Sequence, residues 1–332
     1  MKKISVLGAG GWGTTLAILL SHNKYDVTLW EYNPVYFDTL VNLRENFYYL
    51  PGVKIPKSIH ITNNLSEAIT KSDVLVVSTP TQFIRPVFEP IKDIDISKKI
   101  VVSVSKGIEN ESLLLVSDIL LDIFKTLKRN NLVALSGPSH AEEVSRKIPT
   151  AVVAACESEK IAHTVQKIFS NEYFRCYTTS DLIGTEVGGA LKNVIAIAAG
   201  ISDGAGFGDN TKAAIITRGL NEIMKLGMKL GAKRETFYGL SGLGDLVVTC
   251  GSLHSRNRSV GFQLGQGKKL KTILNEMKMV AEGVATSKSS YQLAKKLGIE
   301  SPIVDEVYGI LFKNINPGTA TRKLMLRSLK QE

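Results

Sequence analysis

The chain is short of the features that mark several protein classes. It has 3 cysteines in 332 residues. Cys156, Cys176 and Cys250 lie far apart and form no C-x-x-C pair. That scarcity excludes a disulfide framework and a cysteine-based structural metal site, and it suits a reducing compartment. A cytoplasmic protein without a metal is therefore expected. Long apolar runs are also missing, and roughly 18 uninterrupted apolar residues are needed to suggest a membrane span. The longest candidate, Val187 to Ile201, is too short and contains Lys192 and Asn193, so no span is expected. Lys2 and Lys3 precede an apolar run, but glycines and Trp12 interrupt it and no small-residue cleavage site follows, which argues against a signal peptide. Dense Lys/Arg blocks with interleaved aromatics are lacking as well. The net charge of +10 is spread along the chain. It describes a solvated surface and a site for small anions rather than a nucleic-acid interface. No internal repeat, low-complexity segment or flexible linker stands out.

What is present is ordinary globular material, 44% hydrophobic and 22% charged, in a length that suits two domains. The stretch Lys3 to Gly13, KISVLGAGGWG, organises the first. An apolar run, Ile4 to Leu7, ends in Gly8, Gly10 and Gly13, a G-x-G-x-x-G turn. Gly8 turns the chain off the strand, and Gly10 lets backbone approach a pyrophosphate. Gly13 lets the following helix pack on the strand while its N-terminus faces the anion. A second strand, Val27 to Trp30, is closed by Glu31, an acid placed to bond ribose hydroxyls, and Tyr32 follows with no Arg or Lys for a 2′-phosphate.

Farther on, Ile59 to Thr62 reads as a short extended piece. Val74 to Val77, Ile100 to Val104, Leu132 to Leu135, Ala151 to Ala155 and Tyr173 to Thr178 complete seven short β runs. They alternate with helical stretches such as Leu113 to Leu127, which predicts a doubly wound α/β domain. Lys106 follows the strand at Ile100 and is placed to meet a phosphate. Ser139-x-x-Glu142 reads as a capping box opening a helix beside Gly137. His140 reads as a turn histidine and is assigned no chemistry. Tyr48 and Tyr49 fall in a polar, aromatic loop, packing on the surface or lining the cofactor side.

After Asp181 the texture becomes helical, so the boundary is set near residue 182, with domains at 1–182 and 183–332. Val187 to Ile201 is small and apolar on nearly every face, so its helix is buried all round. Lys192 inside it has no polar face along which to reach water. Desolvation disfavours the ammonium and brings its pKa toward neutrality, which suits proton transfer. Asp245 ends a second glycine-rich turn and either orients the lysine, accepts a substrate hydroxyl or caps a helix. Ser255, Arg256 and Asn257 group hydroxyl, guanidinium and amide donors for a phosphate. The tail from Arg322 to Lys330 is expected to be a basic, solvated helix.

At Lys192 and Ser255-Arg256-Asn257 the sequence closely resembles bacterial NAD(P)-dependent glycerol-3-phosphate dehydrogenase. The motifs, in order, are GAGGWGT, SKGIE, LSGPSHAEEV, GALKNVIAIAAG, GLGDLVVTC, SRNR and VAEG, and they cover essentially the whole chain. The resemblance implies a Rossmann-like first domain, an all-helical second domain and NAD(P) as cofactor. It implies cofactor contacts at Gly11, Trp12, Tyr32, Lys106, Ala141, Arg256, Val280 and Glu282. It implies substrate contacts at Lys106, Gly137, Ser139, Lys192, Asp245, Ser255, Arg256 and Asn257. Lys192 is the implied proton acceptor, with Asp245, Lys106 and Asn193 beside it. A small phosphorylated substrate and a homodimer are expected partners. Many members carry Ser at the position of Gly11, a departure of little weight if backbone makes the contact. Many carry Arg or His at the position of Tyr32, which bears on NADP preference. Two alternatives stay open at this point: a dehydrogenase for a 3-hydroxy acid or 6-phosphogluconate, and a non-enzymatic nucleotide sensor.

Overall fold

The computed structural model describes residues 2–277, 279–329 and 331. The first part runs β1 (Lys3–Leu7), α1 (Gly11–His22), β2 (Asp26–Trp30), α2 (Pro34–Leu43), β3 (His60–Thr62), α3 (Leu65–Thr70), β4 (Val74–Val77), α4 (Thr81–Phe88), β5 (Ile100–Ser103), α5 (Val116–Ile123), β6 (Leu132–Ser136), α6 (Ala141–Val144), β7 (Thr150–Ala155), α7 (Glu159–Phe169) and β8 (Phe174–Thr179). The eight strands form one sheet in the order β3-β2-β1-β4-β5-β6-β7-β8. Every pairing is parallel except β6 with β7.

Helices cover both faces of this sheet, so its central strands read as unbroken apolar runs rather than alternating ones. Along β4, Val74 and Val76 pack with Leu16, Leu20 and Leu29 on one face. Leu75 and Val77 pack with Ile84, Phe88 and Ile119 on the other. Strand β1 sits between β2 and β4, where the chain reverses its winding. Ligands gather at such a switch point, beyond the carboxyl ends of the strands.

Three local expectations are corrected. The extended piece near Ile59 is a paired edge strand, β3, giving eight strands rather than seven. The helix expected from Leu113 to Leu127 is only α5, because Glu111 and Leu113 adopt positive φ (70° and 61°) and delay its start. No capping box forms at Ser139: its hydroxyl bonds the Gly137 carbonyl (2.9 Å) and the short α6 begins at Ala141.

The second part comprises α8 (Leu182–Gly204), α9 (Gly208–Lys229), α10 (Asp245–Gly251), α11 (Arg256–Gly265), α12 (Leu270–Glu276), α13 (Glu282–Leu297), α14 (Pro302–Lys313) and α15 (Pro317–Met325). Asp181 caps α8, accepting from the Gly184 amide (2.9 Å). By length and hydropathy α8 is long enough to cross a membrane, but the apolar window is 89% buried inside the fold. It is the core helix of this part. The expected tail helix stops at Met325, and Lys330 lies outside the described residues.

Close backbone contact explains the burial of α8. A Cβ on Gly200 would lie 2.1 Å from the Arg258 carbonyl oxygen, and one on Gly204 2.0 Å from that of Phe262. In return, a Cβ on Gly261 would lie 2.1 Å from the Ile197 oxygen, and one on Gly265 2.4 Å from that of Ile201. Paired glycines four apart on both helices thus let α8 and α11 touch along their backbones, as small residues do in any tightly crossed helix pair.

Two buried glutamates cap helices across this core. Glu186 accepts from the Ser117 amide (2.8 Å) and hydroxyl (2.6 Å) at the start of α5. Glu222 accepts from the amides of Ile303 (2.8 Å) and Val304 (3.2 Å) at the start of α14. Burial pushes both up to about 7. A raised carboxyl pKa stabilises the fold below the unfolded value, and that contribution is lost as pH rises through the folded one. Glu186→Gln should therefore raise the melting temperature at pH 8 and change it little at pH 5. The gain has an upper bound of about 3.5 kcal/mol, from the rise from 4.5 to about 7 at about 1.4 kcal/mol per unit. The amide can serve both Ser117 groups, because the hydroxyl can reverse its role. Glu222→Gln should gain less, because its NH2 would face the Val304 amide, donor to donor. Thermal melts at the two pH values distinguish these outcomes.

Candidate active site

The glycine turn stands over the β1–β4 crevice. Gly8 has φ +124°, and a Cβ there would lie 2.9 Å from the Ser78 carbonyl oxygen. A Cβ on Gly13 would lie 1.9 Å from the Gly8 oxygen, so α1 can seat on β1 only with glycine there. At Gly10 a Cβ would meet nothing within 4 Å, leaving the open backbone that a pyrophosphate needs. These features fit a dinucleotide. Trp12 packs on the first core, its ring centroid 6.4 Å from that of Phe174. Ala141 opens α6 against α1, its carbonyl accepting from Thr15 (3.3 Å).

Gly11 carries more weight than backbone contact alone. A Cβ there would lie 2.6 Å from the Tyr49 carbonyl oxygen. A serine there would require the Tyr49 segment to shift. Tyr49 packs edge-on against Tyr36, 5.4 Å between centroids, so it belongs to the wall of the turn. Sequence reasoning missed Asn46 altogether. This fully buried amide donates to the Ala9 carbonyl and to Thr14 (both 2.7 Å) and accepts from the Tyr36 hydroxyl, fixing the turn from below. No local motif marks it.

Glu31 is buried, and one carboxylate oxygen accepts from the Asn33 amide (2.8 Å). Burial raises its pKa, against hydrogen bonds from the Asn33 and Tyr32 amides. Tyr32 beside it is 72% exposed and brings no positive charge.

The chemical centre lies where the two parts meet. Lys192 on α8 donates to Asp245 Oδ1 and to Thr249 Oγ1 (2.8 Å). Lys106, beyond β5, donates to Asp245 Oδ2 (2.6 Å) and to the Gly137 carbonyl (3.3 Å). One carboxylate thus holds two ammoniums from different parts of the chain. Asp245 is only 1% exposed and follows a wide π-type turn, Leu240–Gly244. Gly188 makes room for that turn: a Cβ there would lie 2.5 Å from the Ser241 carbonyl oxygen.

Burial lowers Lys192 to about 8, in spite of the raising effect of Asp245. Burial works to raise Asp245, but Lys106 and Lys192 outweigh it and hold the carboxyl below its ordinary value. The neighbouring ammonium of Lys106 adds to the lowering of Lys192. The result is a charged acid held between two amines, one of which can release a proton near working pH. Thr249 lies on α10 together with Asp245. It donates to the Asp245 carbonyl (2.6 Å) four residues back, so its lone pair faces Lys192.

A chain of amides leads away from this centre. Asn193 donates to the Lys106 carbonyl (3.5 Å) and accepts from Asn257 (2.9 Å), whose own oxygen accepts from the Gly283 amide (3.0 Å). Ser255 caps α11, accepting from the Arg258 amide (3.2 Å). Arg256 is exposed and uses Nη1 on the Val280 carbonyl (2.9 Å). Glu282 reaches across to the first domain, accepting from the Thr81 amide (2.9 Å) and hydroxyl (3.3 Å). Burial raises Glu282, partly offset by the Thr81 bonds and by Arg256. The arrangement brings Lys106, Gly137, Lys192, Asn193, Asp245 and Asn257 into one bonded network. Arg256, Val280 and Glu282 stand at its edge, while Glu31 and Tyr32 belong to the far end of the cofactor crevice.

Family models described as the N-terminus and C-terminus of NAD-dependent glycerol-3-phosphate dehydrogenase match residues 3–162 and 181–322. The chain is 50% identical to a Citrifermentans bemidjiense protein named glycerol-3-phosphate dehydrogenase (NAD(P)+), across 100% of this chain and 99% of that one. It is 48% identical to a protein of the same name from Fusobacterium nucleatum, again across 100% and 99%. The crystal structure of a Coxiella burnetii glycerol-3-phosphate dehydrogenase superposes with a TM-score of 0.94 at 33% identity, covering 98% of this chain and 99% of that one.

The cofactor crevice yields one expectation. Glu31 offers acceptors for ribose hydroxyls and opposes a 2′-phosphate, and Tyr32 brings no cation to bind one. NADH should serve at least as well as NADPH, and Tyr32→Arg should shift the ratio of kcat/KM values toward NADPH. A wild-type ratio strongly favouring NADPH would show that other groups hold the 2′-phosphate.

Proposed function

Because the chain belongs to the NAD-dependent glycerol-3-phosphate dehydrogenase family, we propose that its paired-lysine centre interconverts dihydroxyacetone phosphate and sn-glycerol 3-phosphate, with Lys192 as the proton carrier. The protein is an NAD(P)-dependent oxidoreductase. The observation that carries the assignment of roles is the buried Lys192, held by Asp245 and Thr249 through two of its three N–H bonds. The third remains for the substrate oxygen.

When bound, the reduced nicotinamide would supply the hydride for the carbonyl carbon. Lys192 gives a proton from Nζ to the carbonyl oxygen, so the C=O becomes CH–OH, and solvent reprotonates the lysine. In the oxidising direction neutral Lys192 takes the hydroxyl proton. Asp245 keeps the ammonium in place, and Lys106 shares that carboxylate while turning positive charge toward the substrate. Asn193 steadies the Lys106 backbone. The phosphate is held by the free guanidinium donors of Arg256 with Ser255 and Asn257, opposite Gly137 and Ser139. The Gly8-Gly10-Gly11-Trp12-Gly13 turn, Glu31, Tyr32, Tyr49, Ala141, Val280 and Glu282 line the cofactor side.

We set the domain boundary near residue 182, a reading supported by the start of α8 at Leu182. We also read the protein as cytoplasmic and as a source of glycerol phosphate for phospholipid synthesis. Three buried, unpaired cysteines suit a reducing compartment. A homodimer completes the reading. Phe207, Ala213 and Ala214 at the start of α9 leave apolar surface exposed that a second copy would cover, and sedimentation velocity reads that expectation.

The division of labour separates in kinetics. Positioned proton transfer contributes about 10²–10⁴-fold, so Lys192→Ala should lower kcat by that order while NADH binding persists. Wild-type kcat/KM should fall above pH about 8 for ketone reduction, as the lysine of the free enzyme loses its proton, and rise through the same value for alcohol oxidation. Near-normal kcat in folded Lys192→Ala, or pH profiles that it reproduces limb for limb, would remove Lys192 from the role. Arg256→Lys keeps the charge but loses the fork. Charged hydrogen bonds contribute about 1.5–3 kcal/mol each, so KM for dihydroxyacetone phosphate should rise roughly tenfold with kcat little changed.

A further inference from the structure

One buried polar group at the centre has no part in the chemistry described so far. His140 belongs to the loop between β6 and α6, and its Nε2 is buried with no hydrogen-bond partner. Such a nitrogen is costly unless something satisfies it. Its loop is part of the site on every side. Gly137 receives the Lys106 ammonium. Pro138 Cδ lies 3.7 Å from where a Gly244 Cβ would stand, against the turn that carries Asp245. Across the domain junction, the His140 ring packs on that of His254, 5.8 Å between centroids, and His254 directly precedes the anion-binding run Ser255-Arg256-Asn257.

We propose that His140 is a further recognition residue for the substrate's phosphate, taking up a proton and donating Nε2–H when the dianion enters. The inference rests on the substrate assignment made above. In the free protein the charges around the ring come from every element packed on it. Lys192 on α8 opposes protonation, while Asp245 on α10 and Glu142 and Glu143 on α6 favour it; His254 adds a second imidazole from the loop before α11. Burial and Lys192 prevail, and His140 is held below its ordinary value, hence neutral near pH 7. A phosphate dianion reverses the local field. The imidazolium that forms gains a charged acceptor and the orphaned nitrogen gains a partner. Binding is then linked to proton uptake, and affinity rises as pH falls through the window between the free and bound values. His254 is exposed and serves as the ring's packing partner.

Calorimetry on the NADH-loaded protein tests this, with sn-glycerol 3-phosphate as titrant. Both partners are reduced, so no turnover occurs. Repeating the titration at pH 7 in buffers of different ionisation enthalpy counts the protons exchanged. Wild type should take up more protons per site than His140→Gln, which keeps a donor but does not titrate. His140→Phe should weaken binding roughly tenfold, as loss of a charged hydrogen bond does, with kcat little changed. His254→Gln should retain the wild-type uptake. Equal proton uptake in wild type and His140→Gln, or loss of uptake in His254→Gln instead, would overturn the role of His140 while leaving the substrate assignment intact. Failure of the wild type to bind sn-glycerol 3-phosphate would overturn both. Melting temperatures establish that each variant is folded, and His140→Gln, which conserves polarity and approximate size, carries the test if His140→Phe does not fold.

Discussion

Everything at the site depends on one carboxylate shared by two lysines. Asp245 is buried in the second domain and receives Lys192 from its own domain and Lys106 from the other. Removing such charges from water is expensive, and a buried ion pair seldom stabilises a fold in net terms. Its value here is positional. The carboxylate has two oxygens and each ammonium takes one, so the domains meet in a defined register with both amines turned to the same cleft. The Glu282 carboxylate on the Thr81 amide ties a second point of the same junction. Between them the two contacts set the distance between the nucleotide crevice and Lys192.

Packing decides the chemistry of Lys192. A lysine on a helix normally runs its stem along apolar surface and keeps its charge in water. Helix α8 allows no such path, because α11 lies on its backbone at Gly200 and Gly204, and the turn before Asp245 lies on Gly188. The glycines and alanines of α8 are therefore the cause of the lowered lysine pKa as much as Asp245 is its restraint. An ammonium given a polar face would regain its hydration and its ordinary pKa, and with them lose its readiness to exchange protons. Sequence and function are linked here through backbone distance.

Much of this was legible in the sequence, for reasons that differ by element. The strands announced themselves through β-branched runs, which a sheet covered on both faces requires. The glycine turn and Lys192 were visible because each breaks a local pattern, a helix with no polar face being a poor place for a charge. Less legible were features that depend on a distant neighbour. Asn46 looks like any loop amide until its bonds to Ala9, Thr14 and Tyr36 are seen. Thr249 simply follows the apolar Leu246 to Val248 in the sequence, and becomes a lysine partner once α10 places it one turn from Asp245. The Ser139 capping box failed because the hydroxyl turned to Gly137 instead, a local competition that spacing alone does not resolve. Gly11 appeared interchangeable with serine until the Tyr49 carbonyl was found over it.

The free site carries an electrostatic imbalance that its ligand corrects. Two ammoniums face one carboxylate at the centre, and the Arg256 guanidinium waits at the edge with donors to spare. In a junction largely withdrawn from water, that surplus positive charge is unfavourable until an anion offsets it. The same surplus helps to depress Lys192, since the ammonium of Lys106 opposes a second positive charge nearby. Under the proposed function, a bound dianion moves the balance the other way and favours the charged form of the lysine, the form that would give its proton to a ketone. Substrate entry therefore both neutralises the cleft and loads the acid. The two effects arise from one charge distribution, in which Asn257 shares a hydrogen-bonded network with Lys192 and Asp245 while Arg256 stands at its edge.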